Sequence, residues 1–357
     1  MKISPQKLDR IVKAMRGRRI GVVGDLMLDR YLWGMATRLS PEAAVPVVDF
    51  VEESECLGGA GNVAANLVAL GAQVVPFGVV GEDEAAAAVR RCLAALRLPG
   101  DGILADAARI TTVKTRIIAR HQQVVRMDRE KRVPLEKETE ERLIRRILAR
   151  LGGRQLDALV VSDYDKGVVT EGLADRALGA CHRLGVPAFV KPKTSRLFSY
   201  RGAAAIVCNA REAGFFVSHT LSDDDSIDQA GRALLAHFGC SAVVITLGER
   251  GMSVWEDAGS PAAAGATVHC GRFRIPATSF EVTYGRHGDL PGPGRQVFDV
   301  TGAGDTVLAT LAVAVAAGAS LREAAVLANT AAGVVVGKLG TATVSPAELL
   351  AAVRELT

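Results

Sequence analysis

The sequence predicts an α/β fold in which a mostly parallel central sheet is flanked by helices. Short runs rich in Val and Ile alternate along the chain with segments of helical spacing, and the runs are continuously apolar, as in strands buried on both faces. The predicted strands cover 19–25, 72–81, 157–164, 186–192, 204–209 and 241–248, and the predicted helices cover 61–70, 84–97, 171–184 and 226–238.

Two segments depart from this alternation. Residues 31–57 and 110–128 alternate polar and apolar side chains, and neither segment contains a predicted helix. This pattern predicts antiparallel strands that form a small lid outside the main sheet. Ordinary edge strands of the main sheet would show the same pattern, so both arrangements stay open. The Gly- and Pro-rich insertion at 280–294 is typical of a long loop or hairpin. We expect 1–357 to form a single domain.

Composition and charge exclude several classes of protein. The 357 residues are 49% hydrophobic, which is enough for a sizeable core. The net charge is +4, and the charged residues are interspersed along the chain, so no nucleic acid partner is predicted. Six widely spaced cysteines without CxxC or Cys/His zinc spacing indicate reduced thiols. The N-terminal segment lacks the apolar core of a signal peptide, and the longest weakly polar run is shorter than the ~20 residues of a membrane span. We therefore expect a cytoplasmic protein.

Polar residues follow directly after several predicted strands, where ligands bind in open α/β sheets. They are Asp25, then Asp163 and Asp165, then Asn209 with Glu212 three residues on, then Gly248 and Glu249, and finally the TGAGD turn at 301–305. Each alone would be a cap or a turn residue. Together they favour a ligand site at this end of the sheet.

The TGAGD turn has two readings. Its glycines leave backbone N–H groups unobstructed at the start of a helix, which suits an anion such as a transferring phosphoryl group, and Asp305 could accept the proton of an attacking hydroxyl. Alternatively, the glycines only punctuate the chain and Asp305 caps the helix. The residues alone leave both readings open.

Motifs of rival nucleotide and hydrolase chemistries are missing from the sequence. There is no Walker A motif, no GxGxxG after the first strand, no GxSxG elbow and no HExxH pair. A second glycine cluster, GGAGN at 58–62, opens a predicted helix and suits hydroxyl recognition by backbone and amide groups. A tight entry into a packed helix would use the same glycines.

The motifs GGAGN, NAREA and DVTGAGD, in this order, resemble those of the ribokinase-like (PfkB) family of sugar kinases, over about residues 19–350. The resemblance implies a ribokinase-like three-layer fold with a β-strand lid. Segments such as SDYDKGVVT and KTRIIARHQQVVRMDRE further resemble the kinase module of D-glycero-D-manno-heptose-7-phosphate kinases, which phosphorylate the anomeric hydroxyl. Some members add a nucleotidyltransferase domain with an HxGH motif; this chain has no HxGH, so we expect a stand-alone kinase.

The resemblance also implies roles for individual residues. Asp305 would be the base, and the amides of Gly302, Ala303 and Gly304 would form the anion hole. Asn209 and Glu212 would organise Mg²⁺ through water, and the ATP site would include Thr246 and Gly248, with Asn329 near the adenine. The sugar hydroxyls would contact Asp25, Asp29, Gly58, Gly59 and Asn62.

The lid and the chain just beyond a strand end supply more cations than a neutral sugar would need, which favours a phosphorylated sugar. These cations are Arg38, Lys114, Arg116, Arg120, Arg126 and Lys166. Solvated or carboxylate-paired side chains are the alternative, and with it another sugar or nucleoside kinase, or a catalytically silent nucleotide-binding protein. One departure is Lys191, where the resembling kinases commonly carry an acidic residue before Pro-Lys. Exposed lid strands also predict a homodimer through the lid.

Overall fold

The structure is a computed structural model that describes residues 4–119, 122–193, 200–257, 270–275, 300–338 and 340–355. Its strands are β1 (Arg19–Gly24), β2 (Leu26–Leu39), β3 (Pro46–Gly59), β4 (Gln73–Val80), β5 (Ile103–Ala105), β6 (Thr112–Ala119), β7 (Gln122–Arg129), β8 (Ala158–Ser162), β9 (Ala188–Lys191), β10 (Ala205–Asn209), β11 (Ala242–Thr246), β12 (Met252–Asp257) and β13 (Cys270–Ile275). Its helices are α1 (Pro5–Ala14), α2 (Ala60–Ala69), α3 (Glu84–Ala95), α4 (Lys137–Gly152), α5 (Glu171–Leu184), α6 (Ala210–Phe216), α7 (Asp224–Phe238), α8 (Ala303–Ala316), α9 (Leu321–Val335) and α10 (Pro346–Glu355).

The main sheet has nine strands among the residues described, in the order β13-β12-β11-β10-β9-β8-β1-β4-β5. From β11 to β5 every neighbouring pair is parallel, and only β12 and β13 add antiparallel pairings at one edge. Two clusters of buried apolar side chains pack on the faces of this sheet. The predicted α/β fold with a mostly parallel sheet flanked by helices is confirmed.

Helix boundaries follow local capping chemistry. The helix predicted over 226–238 begins earlier, at Asp224, because the Asp223 side chain accepts a hydrogen bond from the Ser226 N–H and caps the first turn. The helix predicted over 171–184 has the predicted bounds, with Thr170 as N-cap and Gly185 in the left-handed conformation after its last residue. Capping residues therefore define both ends where the hydrophobic pattern alone is ambiguous.

The lid is a separate four-stranded sheet in the order β3-β2-β6-β7, as predicted, although it begins before residue 31, at Leu26. One part of the prediction is wrong, because β2 and β6 are parallel while the other two lid pairings are antiparallel. The chain between β2 and β6 passes through the main sheet, so both strands leave that sheet in the same direction. The 280–294 insertion lies outside the described residues.

Helix α8 places the end of the TGAGD turn inside the fold. Ten of its residues are buried, including Asp305, Thr306 and Thr310, and it packs against α9 and α2. A helix that is apolar on nearly all sides is stable only in the interior. Its first turn is therefore fixed at the carboxyl end of the main sheet. In the described part of the chain, no helix has both the length and the apolar character to cross a membrane.

Candidate active site

A cavity of about 450 Å³ opens at the carboxyl ends of the central strands. Three of the segments predicted from sequence line it together, although they are far apart in the chain. The lining residues are Tyr164, Lys191, Val207, Cys208, Asn209, Ala210, Arg211, Glu212, Thr246, Leu247, Gly248, Val300, Gly302, Ala303, Gly304 and Asp305. The TGAGD turn, the NxxE element from Asn209 to Glu212 and the end of β11 thus form one pocket.

The turn before α8 requires glycine at position 302. Gly302 has φ +85°, and a Cβ there would lie 2.9 Å from Nδ2 of Asn62. The helix dipole adds positive potential at the start of α8, although the Ala303 N–H donates to the Val300 carbonyl at 3.3 Å and the Asp305 N–H donates to the Gly302 carbonyl at 3.0 Å. The predicted anion hole at this turn stays a prediction.

Asp305 is buried and is contacted by three side chains from other parts of the chain. Asn62 Nδ2 donates to its Oδ2 at 2.8 Å, the Tyr164 hydroxyl donates to its Oδ1 at 2.6 Å, and Lys191 Nζ lies 2.8 Å from the same Oδ1. Burial and then the charge of Asp305 raise the pKa of Tyr164 above its ordinary value. Burial opposes the charge of Lys191, but Asp305 outweighs it and raises the lysine pKa. The carboxylate is thus oriented at both oxygens.

Asn62 is itself held in place by a chain of buried hydrogen bonds. Asn66 Nδ2 donates to the Asn62 carbonyl at 2.9 Å, and the Thr306 hydroxyl donates to Asn66 Oδ1 at 2.8 Å. Asn66 lies one helical turn after Asn62 on α2, and Thr306 directly follows Asp305 on α8. The GGAGN and TGAGD motifs are therefore in direct contact.

The cavity lining also contains the NxxE element, from Asn209 to Glu212. Asn209 caps α6, accepting from the Glu212 N–H at 2.8 Å, while Glu212 Oε2 accepts from the Asn209 N–H at 3.0 Å. Lys193 Nζ lies 3.5 Å from Glu212 Oε1. Within the described ranges no group of three His, Cys, Asp or Glu side chains could hold a metal directly. One carboxylate and one amide fit a Mg²⁺ ion that keeps its waters and relies on phosphate oxygens.

Asn329 does not line this cavity. It is buried on α9. Its predicted place near an adenine ring stays a prediction.

Predicted sugar-side residues lie where the lid leaves the main sheet. A Cβ on Gly58 would lie 2.5 Å from Asp29 Oδ2, and Gly59 has φ +58° with Asp25 O 2.4 Å from its Cβ position, so both sites need glycine. Asp25 is fully buried, and its carboxylate accepts three backbone N–H groups from residues 164, 166 and 168. Burial raises its pKa, against the effect of those N–H groups. Asp25 anchors the loop after β8, and its contact with sugar stays a prediction.

The described members of this group of cations are paired with carboxylates, as the alternative allowed, and Lys166 lies in the loop after β8 rather than in the lid sheet. The pairs are Arg116–Asp29 at 2.6 Å, Lys166–Glu130 at 2.7 Å, Arg126–Asp128 at 2.8 Å, Lys114–Asp128 at 3.0 Å and Arg38–Asp49 at 3.6 Å. Arg120 lies outside the described residues. Arg38 has the longest of these ion-pair distances and is the most exposed of the five, which leaves it most available to a ligand.

Sequence reasoning missed Tyr164, Asn66 and Thr306 as parts of the site. Tyr164 stands between Asp163 and Asp165, at the end of a predicted strand, so its position there is a signal that could have identified it. Asn66 follows Asn62 at i+4 spacing, which places both on one face of a helix. Asp163 and Asp165 have local roles instead, since Asp163 Oδ1 accepts from the Asp165 N–H at 2.8 Å.

Known proteins resemble this chain over nearly its whole length. The bifunctional protein HldE of Pelobacter propionicus is 42% identical over 348 residues, covering 98% of this chain and 66% of the relative. The HldE protein of Trichlorobacter lovleyi is 43% identical over 332 residues, covering 93% of this chain and 62% of the relative. The chain thus spans slightly less than two thirds of the length of these curated relatives.

Solved structures share the fold. The ribokinase of Arabidopsis thaliana, complexed with ribose and ATP, superposes with a TM-score of 0.66 at 17% identity, covering 95% of this chain and 99% of that one. Phosphofructokinase-2 of Escherichia coli superposes with a TM-score of 0.69 at 17% identity, covering 96% and 99%. These neighbours confirm the ribokinase-like fold.

A sequence model described as pfkB family carbohydrate kinase matches residues 18–348. That range contains the glycine turn, the buried Asp305 and the NxxE element that line the cavity. This protein belongs to the pfkB family of carbohydrate kinases.

Proposed function

We propose that this kinase phosphorylates the anomeric hydroxyl of D-glycero-D-manno-heptose 7-phosphate, giving heptose 1,7-bisphosphate for ADP-heptose and lipopolysaccharide core synthesis. The observation that carries the catalytic part is Asp305, buried at the first turn of α8 and facing the cavity. The sugar assignment is supported by the ordered motifs of the heptose-7-phosphate kinases and by the HldE relatives at 42% identity. A cytoplasmic location belongs to the proposal.

In the proposed reaction, an Asp305 oxygen accepts the proton of the sugar hydroxyl as that hydroxyl oxygen forms a bond to the γ-phosphorus of ATP. The bond between the γ-phosphorus and the β–γ bridging oxygen breaks, and ADP leaves with the electron pair. N–H groups of Gly302, Ala303 and Gly304, with the α8 dipole, stabilise negative charge on the transferring group. When bound, Mg²⁺ supplies further positive charge at the phosphates, and Asn209 and Glu212 would hold it through water.

An ATP-consumption assay tests both parts of the proposal. We expect turnover with heptose 7-phosphate to exceed that with ribose, fructose, fructose 6-phosphate and adenosine. Asp305→Asn should lower kcat by about 10²- to 10⁴-fold, the usual contribution of a general base. As a control, Asp9→Asn on α1, outside the cavity, should turn over at the wild-type rate. Equal turnover in Asp305→Asn would refute the base, and preference for an unphosphorylated sugar would refute the heptose phosphate.

A second candidate is a kinase for an unphosphorylated sugar, and the paired cations favour it. Arg116, Arg126 and Lys166 already neutralise carboxylates at distances below 3 Å. A sugar phosphate would have to displace those partners or use Arg38. The same substrate panel separates the candidates, since the neutral-sugar kinase would prefer ribose or fructose.

We also propose that the protein is a homodimer through the lid. Every residue of β7 is exposed, including the apolar Val124, Val125 and Met127, and Phe50 and Val51 of β3 are each 65% exposed. A strand exposed on both faces with apolar side chains needs a cover, and the lid offers the same surface to a second copy. Light scattering should give a dimer for the wild type and a monomer for Phe50→Glu; a monomeric wild type would contradict the proposal.

A further inference from the structure

Lys191 lies between the catalytic carboxylate and the anion-binding turn. Its Nζ is 2.8 Å from Asp305 Oδ1 and 3.2 Å from the Tyr164 hydroxyl. A Cβ added to Gly304 would lie 3.2 Å from the same Nζ, so the ammonium group sits over the first turn of α8. The side chain is 16% exposed, and that exposed part faces the cavity. The ammonium group therefore contacts the Asp305 carboxylate and lies beside the first turn of α8, where the proposed function places the base and the transferring phosphate.

The ion pair conflicts with the proposed role of Asp305 if it persists during the reaction. Lys191 Nζ and the Tyr164 hydroxyl both contact Asp305 Oδ1, so an approaching sugar hydroxyl would compete with them for that oxygen. A lysine ammonium is a compact charge on a flexible four-carbon stem, and it binds phosphate as a point charge. A γ-phosphate bound at the turn would present more negative charge to Nζ than a single carboxylate does.

We propose that Lys191 is a catalytic residue whose ammonium group pairs with Asp305 before the nucleotide binds. When ATP binds, the ammonium group moves to pair with the γ-phosphate. The inference rests on the role of Asp305 in the proposed function. Nucleotide binding then uncovers the base, and the ammonium adds charge stabilisation to the transferring phosphoryl group.

Calorimetric titration with two nucleotides tests the contact directly, without turnover. Lys191→Met should weaken binding of the β,γ-imido analogue of ATP by about 10- to 100-fold, the range for a hydrogen bond to a charged group. Binding of ADP, which has no γ-phosphate, should change less than about twofold. Lys13→Met is the control, because Lys13 pairs with Asp9 on α1, outside the cavity, and is 70% exposed. It should not distinguish the two nucleotides.

Two further variants keep the test decisive. Lys191→Arg retains the charge and should restore much of the selectivity for the imido analogue over ADP. If Lys191→Met folds poorly, Lys191→Met combined with Asp305→Asn removes both charges and allows the same comparison. Equal losses for both nucleotides, or none, would overturn the assignment of Lys191. Its failure is separable from that of the base, since Asp305→Asn turnover tests Asp305 independently.

Discussion

The ion pair between Arg116 and Asp29 is predicted to be the costliest single contact to break in the lid. Its side chains are only 11% and 7% exposed, the N–O distance is 2.6 Å, and the guanidinium lies 5.2 Å from the centre of the Tyr31 ring. Asp29→Asn keeps the shape against Gly58 but leaves Arg116 charged, buried and without its counter-ion. Removing one partner of a buried pair costs about 3–5 kcal/mol of the free energy of unfolding.

The lid contains a matched control in the pair between Arg38 and Asp49. That pair has a distance of 3.6 Å and side-chain exposures of 63% and 55%, so Asp49→Asn should cost less than about 1 kcal/mol. Urea denaturation of both variants gives the comparison. Combining Asp29→Asn with Arg116→Met removes the orphaned charge and should recover most of the lost stability. Equal costs for Asp29→Asn and Asp49→Asn would refute the assignment of an uncompensated buried charge.

Two other predictions concern packing and pH. Gly231→Ala should lower the free energy of unfolding by about 1–3 kcal/mol, because its Cβ would lie 2.2 Å from the buried Trp255 ring. The control is Gly179→Ala, which should not destabilise the protein because its nearest neighbour is the flexible end of an arginine at 3.4 Å. Equal effects of the two variants in urea denaturation would contradict this prediction. The Lys338 ammonium lowers the pKa of Glu348 to about 2 from an ordinary 4.5, so the pair's stabilisation is present above pH 4.5 and is lost as the pH falls toward 2. Glu348→Gln should therefore cost less than about 1 kcal/mol at pH 7, with the difference shrinking as the pH falls from 4.5 toward 2. A difference independent of pH would exclude the charge as its cause.

Local sequence patterns predicted most of the main sheet correctly. Continuous Val and Ile runs identified β1, β4, β8, β10 and β11, because a strand buried on both faces has no polar side to show. The same reasoning could not give the parallel pairing of β2 with β6, since alternation within a strand carries no information about its partner. Nor could it show that Lys191, noted only as a departure, would contact the proposed base.

The sequence by itself predicted six strands of the main sheet, four of the helices, the glycine turns and the resemblance to the family, because each depends on residues close together in the chain. Only the tertiary structure decided which side chains meet. Asn62 and Asp305 are 243 residues apart, and Lys191 and Asp305 are 114 apart, yet both contacts are below 3 Å. The parallel sheet brings its strand ends to one edge, and α2 packs on α8 there, so the surroundings of Asp305 follow from packing that no local pattern encodes.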